Sequence, residues 1–295
     1  MTAPGSPSAA LAAAIDRTGS VACVGLDPRT SLLPPALVES MLDAHGPGRP
    51  AVGAAFVEFN RRIIDAVAGR CPAVKPQVAC YEAYGASGWL ALEATITMAR
   101  EAGLVVIADA KRNDIGSTAA HYGQAFLGGP PGLDGAPLAG LGADWLTVNG
   151  YLGTDTVEPV LDAGDGGVFV LVRTSNPSAV ELQDAPSGSG TVSDAMARLV
   201  AGWGADRVGA VVGATYPDQA RRLRDLMPDT WFLVPGYGAQ GAGAADALAG
   251  ARPDGRGVLV NSSRGIIGAW QERGDDDWGG AAAAALDTMN ADLRR

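Results

Sequence analysis

The chain has 295 residues, 47% of them hydrophobic and 18% charged, a composition that excludes wholesale disorder and allows a large core. The 22 lysines and arginines are outnumbered by 32 aspartates and glutamates, and the formal net charge of −10 argues against a nucleic-acid partner, whose phosphates require cations. The 41 glycines and 19 prolines follow no fixed period, which excludes a collagen-like or simple repeat protein.

Eight short apolar runs, rich in β-branched residues and followed by polar residues or glycine, predict strands. In chain order they are Val21–Asp27, Ala73–Ala79, Leu104–Lys111, Asp144–Asn149, Val168–Ser175, Val208–Thr215, Trp231–Tyr237 and Gly257–Ser263. Segments with helical apolar spacing follow these runs and predict helices. They are Ala51–Ala68, Trp89–Ala102, Thr118–Phe126, Thr156–Ala163, Val192–Trp203, Asp218–Leu226, Ala242–Leu248 and Gly279–Leu293. Strands that alternate with helices and are apolar throughout indicate a parallel sheet covered by helices.

Eight such units favour an α/β fold of the (β/α)8 TIM-barrel type over an open sheet, with residues 1–295 forming a single barrel domain. Two segments are long for βα connections, Leu127–Leu141 and Asn176–Gly190, so we expect a barrel with extended βα loops. Such loops are often covers over a site, although a plain surface insertion explains them equally well.

Several chemistries are disfavoured by what the sequence lacks. Residues 1–10 contain no basic segment followed by an apolar one, and no later stretch approaches about 18 apolar residues, so we expect a cytoplasmic protein with no membrane contact. Cys23, Cys71 and Cys80 form no C-x-x-C pair and are interpreted as small core residues. With only two histidines, a zinc site or a Ser-His-Asp triad is hard to assemble, which leaves Lys, Asp and Glu to carry protons.

The third strand ends in an Asp-x-Lys-x-x-Asp pattern. Asp109 and Lys111 are two residues apart, so strand alternation predicts that both point to the same side, and Asp114 follows in the turn. A lysine between two carboxylates stays protonated, which suits a proton donor and not a Schiff base. Lys75 lies in another apolar run, and the carboxyl ends of barrel strands are where chemistry occurs. A buried structural ion-pair network is the alternative interpretation.

The last two strands are followed by glycine-rich segments, Leu233–Gly241 (LVPGYGAQG) and Gly257–Ile266 (GVLVNSSRGI). Loops at these positions of a barrel often bind phosphate through backbone N–H groups and a short helix. Arg264 would add a forked donor for phosphate oxygens, which ordinary glycine turns do not require.

Together these motifs resemble the orotidine 5′-phosphate decarboxylase family, in particular its longer bacterial (type 2) form. The matching segments run in order through nearly the whole chain: VGLDPR (24–29), VKPQVACYEAYG (74–85), ADAKRNDIGST (108–118), TVNGYLG (147–153), TSNPS (174–178), VVGAT (211–215), VPGYGAQG (234–241) and SSRG (262–265). Two departures are Asn113, where members often carry Gly, and an expanded Leu127–Leu141 segment.

The resemblance implies that orotidine 5′-phosphate is decarboxylated to uridine 5′-phosphate, the last step of de novo pyrimidine nucleotide synthesis, without cofactor or metal. It implies that Lys111 protonates C6 and that Asp109 lies beside the departing carboxylate. Lys75 and Asp114 complete a Lys-Asp-Lys-Asp array.

The resemblance also assigns substrate contacts. Asp27 and Lys75 would hold ribose hydroxyls, Thr174 and Ser175 would read the pyrimidine edge, and Gln240 and Arg264 would grip the phosphate. Pro235 and Ser263 complete the implied substrate-binding set. A homodimer with shared active sites is implied, because Asp114, Ile115 and Thr118 reach into the neighbouring subunit's site in this family.

Three alternatives remain open at this point. A related sugar-phosphate decarboxylase or synthase barrel has a similar Asp-x-Lys-x-x-Asp pattern but uses magnesium. A Schiff-base aldolase is disfavoured because Lys111 is flanked by acids. A barrel that only binds nucleotides, or a structural partner, would not need the four charged residues.

Overall fold

The computed structural model describes residues 5–238, 241–274 and 276–294. Its main sheet is a closed barrel of eight strands in the order β1-β10-β9-β8-β5-β4-β3-β2. The strands are β1 (Ala22–Leu26), β2 (Ala73–Pro76), β3 (Val105–Arg112), β4 (Trp145–Val148), β5 (Gly167–Arg173), β8 (Val208–Val212), β9 (Phe232–Pro235) and β10 (Val258–Ser262). Each predicted strand has its counterpart, generally shorter than expected, and the predicted (β/α)8 fold is confirmed.

The remaining strands, β6 (Pro186–Ser187) and β7 (Gly190–Thr191), form a small antiparallel hairpin. Neighbouring barrel strands pair in parallel, as between β1 and β2, where Gly25 lies opposite Lys75. Parallel strands place their carboxyl ends at one end of a barrel. That end receives the residues that follow each strand.

Most helices lie between strands along the chain, while α1 precedes β1 and the last three helices follow β10. They are α1 (Pro7–Thr18), α2 (Pro35–His45), α3 (Arg49–Val67), α4 (Val78–Glu82), α5 (Gly85–Glu101), α6 (Gly116–Phe126), α7 (Thr154–Asp162), α8 (Ala179–Leu182), α9 (Val192–Gly202), α10 (Pro217–Leu226), α11 (Ala244–Ala247), α12 (Arg264–Ile267), α13 (Trp270–Arg273) and α14 (Trp278–Leu293). All eight predicted helices are present. Two long helices, α1 and α2, and three short ones, α4, α8 and α13, were not predicted, although α1 buries Leu11, Ala14 and Ile15 at helical spacing.

The chain divides into two compact units. The terminal unit comprises Ala14–Ala110 and Ser262–Arg294, and its core includes Phe56, Phe59 and Tyr81, with Phe59 stacked on Trp278. The central unit comprises Lys111–Asn261 and the residues up to Ala13. Its core includes the buried Trp145–Phe169 pair, whose ring centroids are 4.5 Å apart. The single domain over residues 1–295 stays a prediction.

The three cysteines differ in burial. Cys23 and Cys71 are core residues as expected, and burial raises the pKa of the Cys71 thiol to about 12. Cys80 is only partly buried, so the core assignment is wrong for it.

The two long segments differ in position, because residues 127–141 precede a strand and residues 176–190 follow one. Residues 127–141 connect α6 to β4, so the expectation of a βα loop is wrong there, and the segment precedes a strand instead of following one. It folds back on itself, with Gly132 N donating to Ala136 O at 2.7 Å and Leu138 N donating to Pro130 O at 2.8 Å. Residues 176–190 do follow β5 and contain α8 and the start of the hairpin. Only this second segment belongs to the end of the barrel where the candidate residues lie.

In the part of the chain that the structure describes, no helix combines the length and apolarity needed to cross a bilayer.

Candidate active site

A buried ion pair links β2 and β3 in the terminal unit. Lys75 Nζ lies 2.6 Å from Asp109 Oδ2, and the two side chains are only 6% and 7% exposed. Gln77 Nε2 donates to the same carboxylate oxygen at 2.8 Å. Burial by itself lowers the pKa of Lys75, but the charges of Asp109 and Asp27 outweigh it, and the pKa lies above its usual value. Lys75 is therefore a fixed ammonium and not a neutral amine.

Asp27 follows β1 and contributes a second negative charge to Lys75. Its Oδ1 is buried without a hydrogen-bond partner, which leaves an acceptor for a ligand hydroxyl. The backbone before Asp27 is held firmly, because Leu26 O accepts hydrogen bonds from Gln77 N at 3.1 Å and from the buried Tyr81 hydroxyl at 3.3 Å. The geometry is that of a rigid acceptor beside a rigid cation.

Ser263 packs directly on β1 at Gly25. A Cβ on Gly25 would lie 1.8 Å from Ser263 Oγ and 3.2 Å from Asp27 Oδ1, so only glycine fits at this position. Arg264 comes next, exposed at the start of the short helix α12 that was expected there. The terminal unit thus contains four of the predicted site residues near one another: Asp27, Lys75, Asp109 and Ser263. Arg264 directly follows Ser263 in the chain and is exposed.

Lys111, at the end of β3, has a left-handed backbone with φ of +50°. It is the only non-glycine residue of the described ranges in which φ is positive. This conformation costs about 1–3 kcal/mol and persists only where the surroundings enforce it, typically at functional sites. The left-handed residue interrupts the regular pleat near the end of β3, so strand alternation does not determine the side to which Lys111 points. Asp109 is buried and Lys111 is exposed.

The central unit fixes the backbone around Lys111. Thr147, buried in β4, accepts a hydrogen bond from Lys111 N at Oγ1 over 2.9 Å, and Asn149 N donates to Arg112 O at 2.9 Å. Asp114 follows in a half-buried turn, where its Oδ1 accepts from Ile115 N at 2.8 Å. Ile115 and Thr118 are exposed at the start of α6.

Thr174 and Ser175 follow β5 and are half-buried. Gln183 holds Thr174 at both ends: its Oε1 accepts from Thr174 N at 2.8 Å, and its Nε2 donates to Thr174 Oγ1 at 2.8 Å. The neighbouring Asp184 accepts two hydrogen bonds from the buried Arg173, at 2.9 and 3.1 Å. The 176–190 segment is therefore held against the end of β5 by two neighbouring contacts, Gln183 with Thr174 and Asp184 with Arg173.

The remaining predicted positions lie after β9. Pro235 is its last residue and is half-buried, and Gln240 lies outside the described residues. In the described ranges, no group of three or more His, Cys, Asp or Glu side chains is placed to hold a metal ion.

Three functional candidates were absent from the predicted site set. Gln77 lies two residues after Lys75, so alternation could have placed it on the same side. Thr147 is a polar residue inside an otherwise apolar buried strand, which is also a visible signal. Gln183 gave none, because its contact with Thr174 depends on how the loop folds.

The chain matches the model of the Orotidine 5'-phosphate decarboxylase / HUMPS family over residues 20–274. It is 45% identical over 301 residues to the orotidine 5'-phosphate decarboxylase of Rhodopirellula baltica, covering 96% of this chain and 97% of that relative. It is also 45% identical to the protein of that name from Haloarcula marismortui, over 89% of this chain and 87% of the relative. The solved structure of Leishmania donovani OMP decarboxylase is similar with a TM-score of 0.75 and 34% identity, covering 98% of this chain and 99% of that one.

Proposed function

The chain belongs to the orotidine 5′-phosphate decarboxylase / HUMPS family, and on this premise we propose that it decarboxylates orotidine 5′-phosphate to uridine 5′-phosphate. It is an enzyme of the carboxy-lyase class and acts in pyrimidine synthesis. The main structural support for this function is the buried ion pair between Lys75 and Asp109. Asp109 lies two residues before Lys111, whose backbone is left-handed.

The reaction requires electrostatic stabilisation. Loss of CO₂ leaves an electron pair localised at C6 of the pyrimidine, with no adjacent group to accept the charge. An ammonium held at C6 stabilises that charge as it develops and then delivers a proton to it. Lys111 is the proposed donor, since its strained backbone fixes where its ammonium projects.

Asp109 has a different proposed role. Its carboxylate is fixed by Lys75 and Gln77, so it cannot move away from a substrate carboxylate placed beside it. The repulsion between the Asp109 carboxylate and the substrate carboxylate is present when the substrate is bound, and it disappears as CO₂ leaves. Asp114 completes the array as a second acidic group after Lys111.

Contacts remote from C6 hold the substrate in this geometry. Asp27 Oδ1 is a buried acceptor for a ribose hydroxyl, with Lys75 beside it. Thr174 and Ser175 are assigned to the pyrimidine edge. Gln240 and Arg264 are assigned to the phosphate, and Pro235 and Ser263 complete the substrate-binding set.

The purified protein should convert orotidine 5′-phosphate to uridine 5′-phosphate in excess EDTA, followed by the change in ultraviolet absorbance. Arg264→Ala should raise KM for the substrate far more than it lowers kcat, because its contact is with the phosphate in both ground and transition states. An unchanged KM would refute the assignment of Arg264.

The magnesium-dependent sugar-phosphate alternative is not favoured. The family model covers both groups, but the relatives at 45% identity are named orotidine 5'-phosphate decarboxylase. Absence of orotidine 5′-phosphate turnover, together with magnesium-dependent turnover of a sugar phosphate, would favour this alternative.

We further propose a homodimer in which the turn after β3 completes the partner's site. Ile115 after β3 is 63% exposed, and Tyr151 and Leu152 after β4 are 69% and 44% exposed, so the central unit carries exposed apolar residues in two of its segments. Such a surface suits a second copy of the chain. The cytoplasmic location stays a prediction.

Subunit mixing tests the shared site. Each hybrid of Lys111→Ala and Asp114→Ala chains would contain one site with both residues intact, so mixing two inactive variants should restore activity. An inactive mixture in which heterodimers are demonstrated would contradict the shared site.

A further inference from the structure

We infer that Thr147 is a positioning residue for Lys111, whose hydroxyl holds the left-handed backbone from which the proton donor projects. Thr147 contacts the backbone of Lys111, and this role requires no contact with the substrate. Its kinetic consequence rests on the proposed function.

The hydroxyl of Thr147 is placed by the strand that carries it. β4 is buried along its whole length, and Thr147 is 1% exposed between the apolar Leu146 and Val148. From this fixed position Oγ1 accepts the backbone N–H of Lys111 at 2.9 Å. A polar side chain buried in an apolar strand requires a hydrogen-bond partner, and the Lys111 amide is one for Thr147.

The conformation of Lys111 makes this contact consequential. Residues other than glycine are disfavoured at φ of +50°, and Lys111 is the only non-glycine residue of the described ranges with a positive φ. One step further along, Asn149 N donates to Arg112 O at 2.9 Å, so β4 and the residue after it hold the last two residues of β3. Without the hydroxyl, Lys111 can relax towards the ordinary extended region, and its ammonium moves with the backbone.

Thr147→Val retains the branched shape and removes the acceptor. We expect kcat to fall about 100-fold, the effect of displacing a reacting group by about 1 Å, while KM and the affinity for uridine 5′-phosphate change less than about threefold. Thr147→Ser retains the hydroxyl and should keep kcat within about fivefold of the wild type. Thr156→Val is the matched control: Thr156 is also buried and donates to Gly153 O at 2.7 Å, but it lies in α7 and should leave kcat unchanged.

A double-mutant cycle separates positioning from a general structural effect. In a Lys111→Ala background, Thr147→Val should cause no further loss of the residual rate, because there is no ammonium left to position. An equal loss in both backgrounds, a Thr147→Val enzyme with wild-type kcat, or equal impairment by Thr147→Ser would each overturn the inference. If Thr147→Val does not fold, Thr147→Ala replaces it in the same cycle.

The exchange rate of the Lys111 amide hydrogen tests the contact without any substrate. It should be at least about tenfold faster in Thr147→Val than in the wild type and Thr147→Ser. Unchanged exchange would refute the role of Thr147. A wild type that shows the expected exchange pattern but does not decarboxylate orotidine 5′-phosphate would instead refute the proposed function.

Discussion

Removing the carboxylate of Asp109 would leave the ammonium of Lys75 buried without its nearest counter-charge. The two groups are 2.6 Å apart, both side chains are less than a tenth exposed, and the remaining negative charge is that of Asp27. Asp109→Ala is therefore predicted to destabilise the protein as well as inactivate it.

The size of the effect follows from two bounds. Removing one partner of a buried pair costs about 3–5 kcal/mol. At pH 7 the cost has a ceiling of about 4.6 kcal/mol, since a lysine with the usual pKa of about 10.4 loses its proton for that amount, at 1.36 kcal/mol per unit. We expect destabilisation between about 3 and 4.6 kcal/mol.

The pH dependence has a definite sign in each protein. In the wild type, the pKa of Lys75 is raised on folding, so its contribution to stability is fully present below the unfolded pKa of about 10.4 and is lost as pH rises through the folded pKa. In Asp109→Ala, burial lowers the folded pKa of Lys75, so the unfolded state binds more protons and stability rises with pH towards about 10.4. The difference between the two proteins should therefore shrink from pH 7 to pH 9.

Thermal unfolding measures this difference. With an unfolding entropy near 0.6 kcal/mol/K for a chain of this length, the Tm at pH 7 should fall by about 5–8 °C. Asp65→Ala is the control, because Asp65 pairs with Arg61 at 2.9 Å on the surface, where a pair contributes about 0–1 kcal/mol. A loss below 1 kcal/mol at pH 7, or no smaller loss at pH 9, would refute this account of the pair.

Two further predictions concern the packing around the site. Gly25→Ala should lower the Tm and should lower kcat more than tenfold, because the added Cβ would lie 1.8 Å from Ser263 Oγ. Gly202→Ala is the control, because nothing lies within 4 Å of its added Cβ. It should leave kcat unchanged and stabilise α9 by up to about 1 kcal/mol. Equal behaviour of the two variants would show that the close approach has no role. Asp184→Asn should cost about 1.5–3 kcal/mol in urea unfolding and raise KM for the substrate, since it weakens the bidentate contact with Arg173 that anchors the segment after β5. Wild-type stability and KM would exclude that anchoring role.

The fold was predictable because its signal is local and repeated. Eight apolar runs alternating with helical segments indicate a barrel even when the exact bounds of each element are not known. The Asp-x-Lys-x-x-Asp pattern then indicates the end of the barrel where the chemistry occurs. Lys75 was accessible to the same reasoning, because a lysine within an apolar strand requires a partner.

The remainder depends on geometry that the sequence does not contain. The left-handed backbone of Lys111 interrupts the strand alternation that was used to predict where its side chain points. Its hydrogen bond to Thr147 joins residues 36 apart in the chain. The clamp formed by Gln183 arises only once α8 has turned the loop back towards β5. Residues 127–141 were assigned to the wrong end because length alone was considered, and not the order of the preceding helix and following strand.

The most direct test of the central claim measures decarboxylation of orotidine 5′-phosphate and binding of uridine 5′-phosphate in the wild type and in Lys111→Ala. The account predicts turnover by the wild type in excess EDTA, and loss of turnover in Lys111→Ala with nucleotide affinity within about tenfold of the wild type. A wild type that binds the substrate without converting it, or a Lys111→Ala variant that retains turnover, would contradict it.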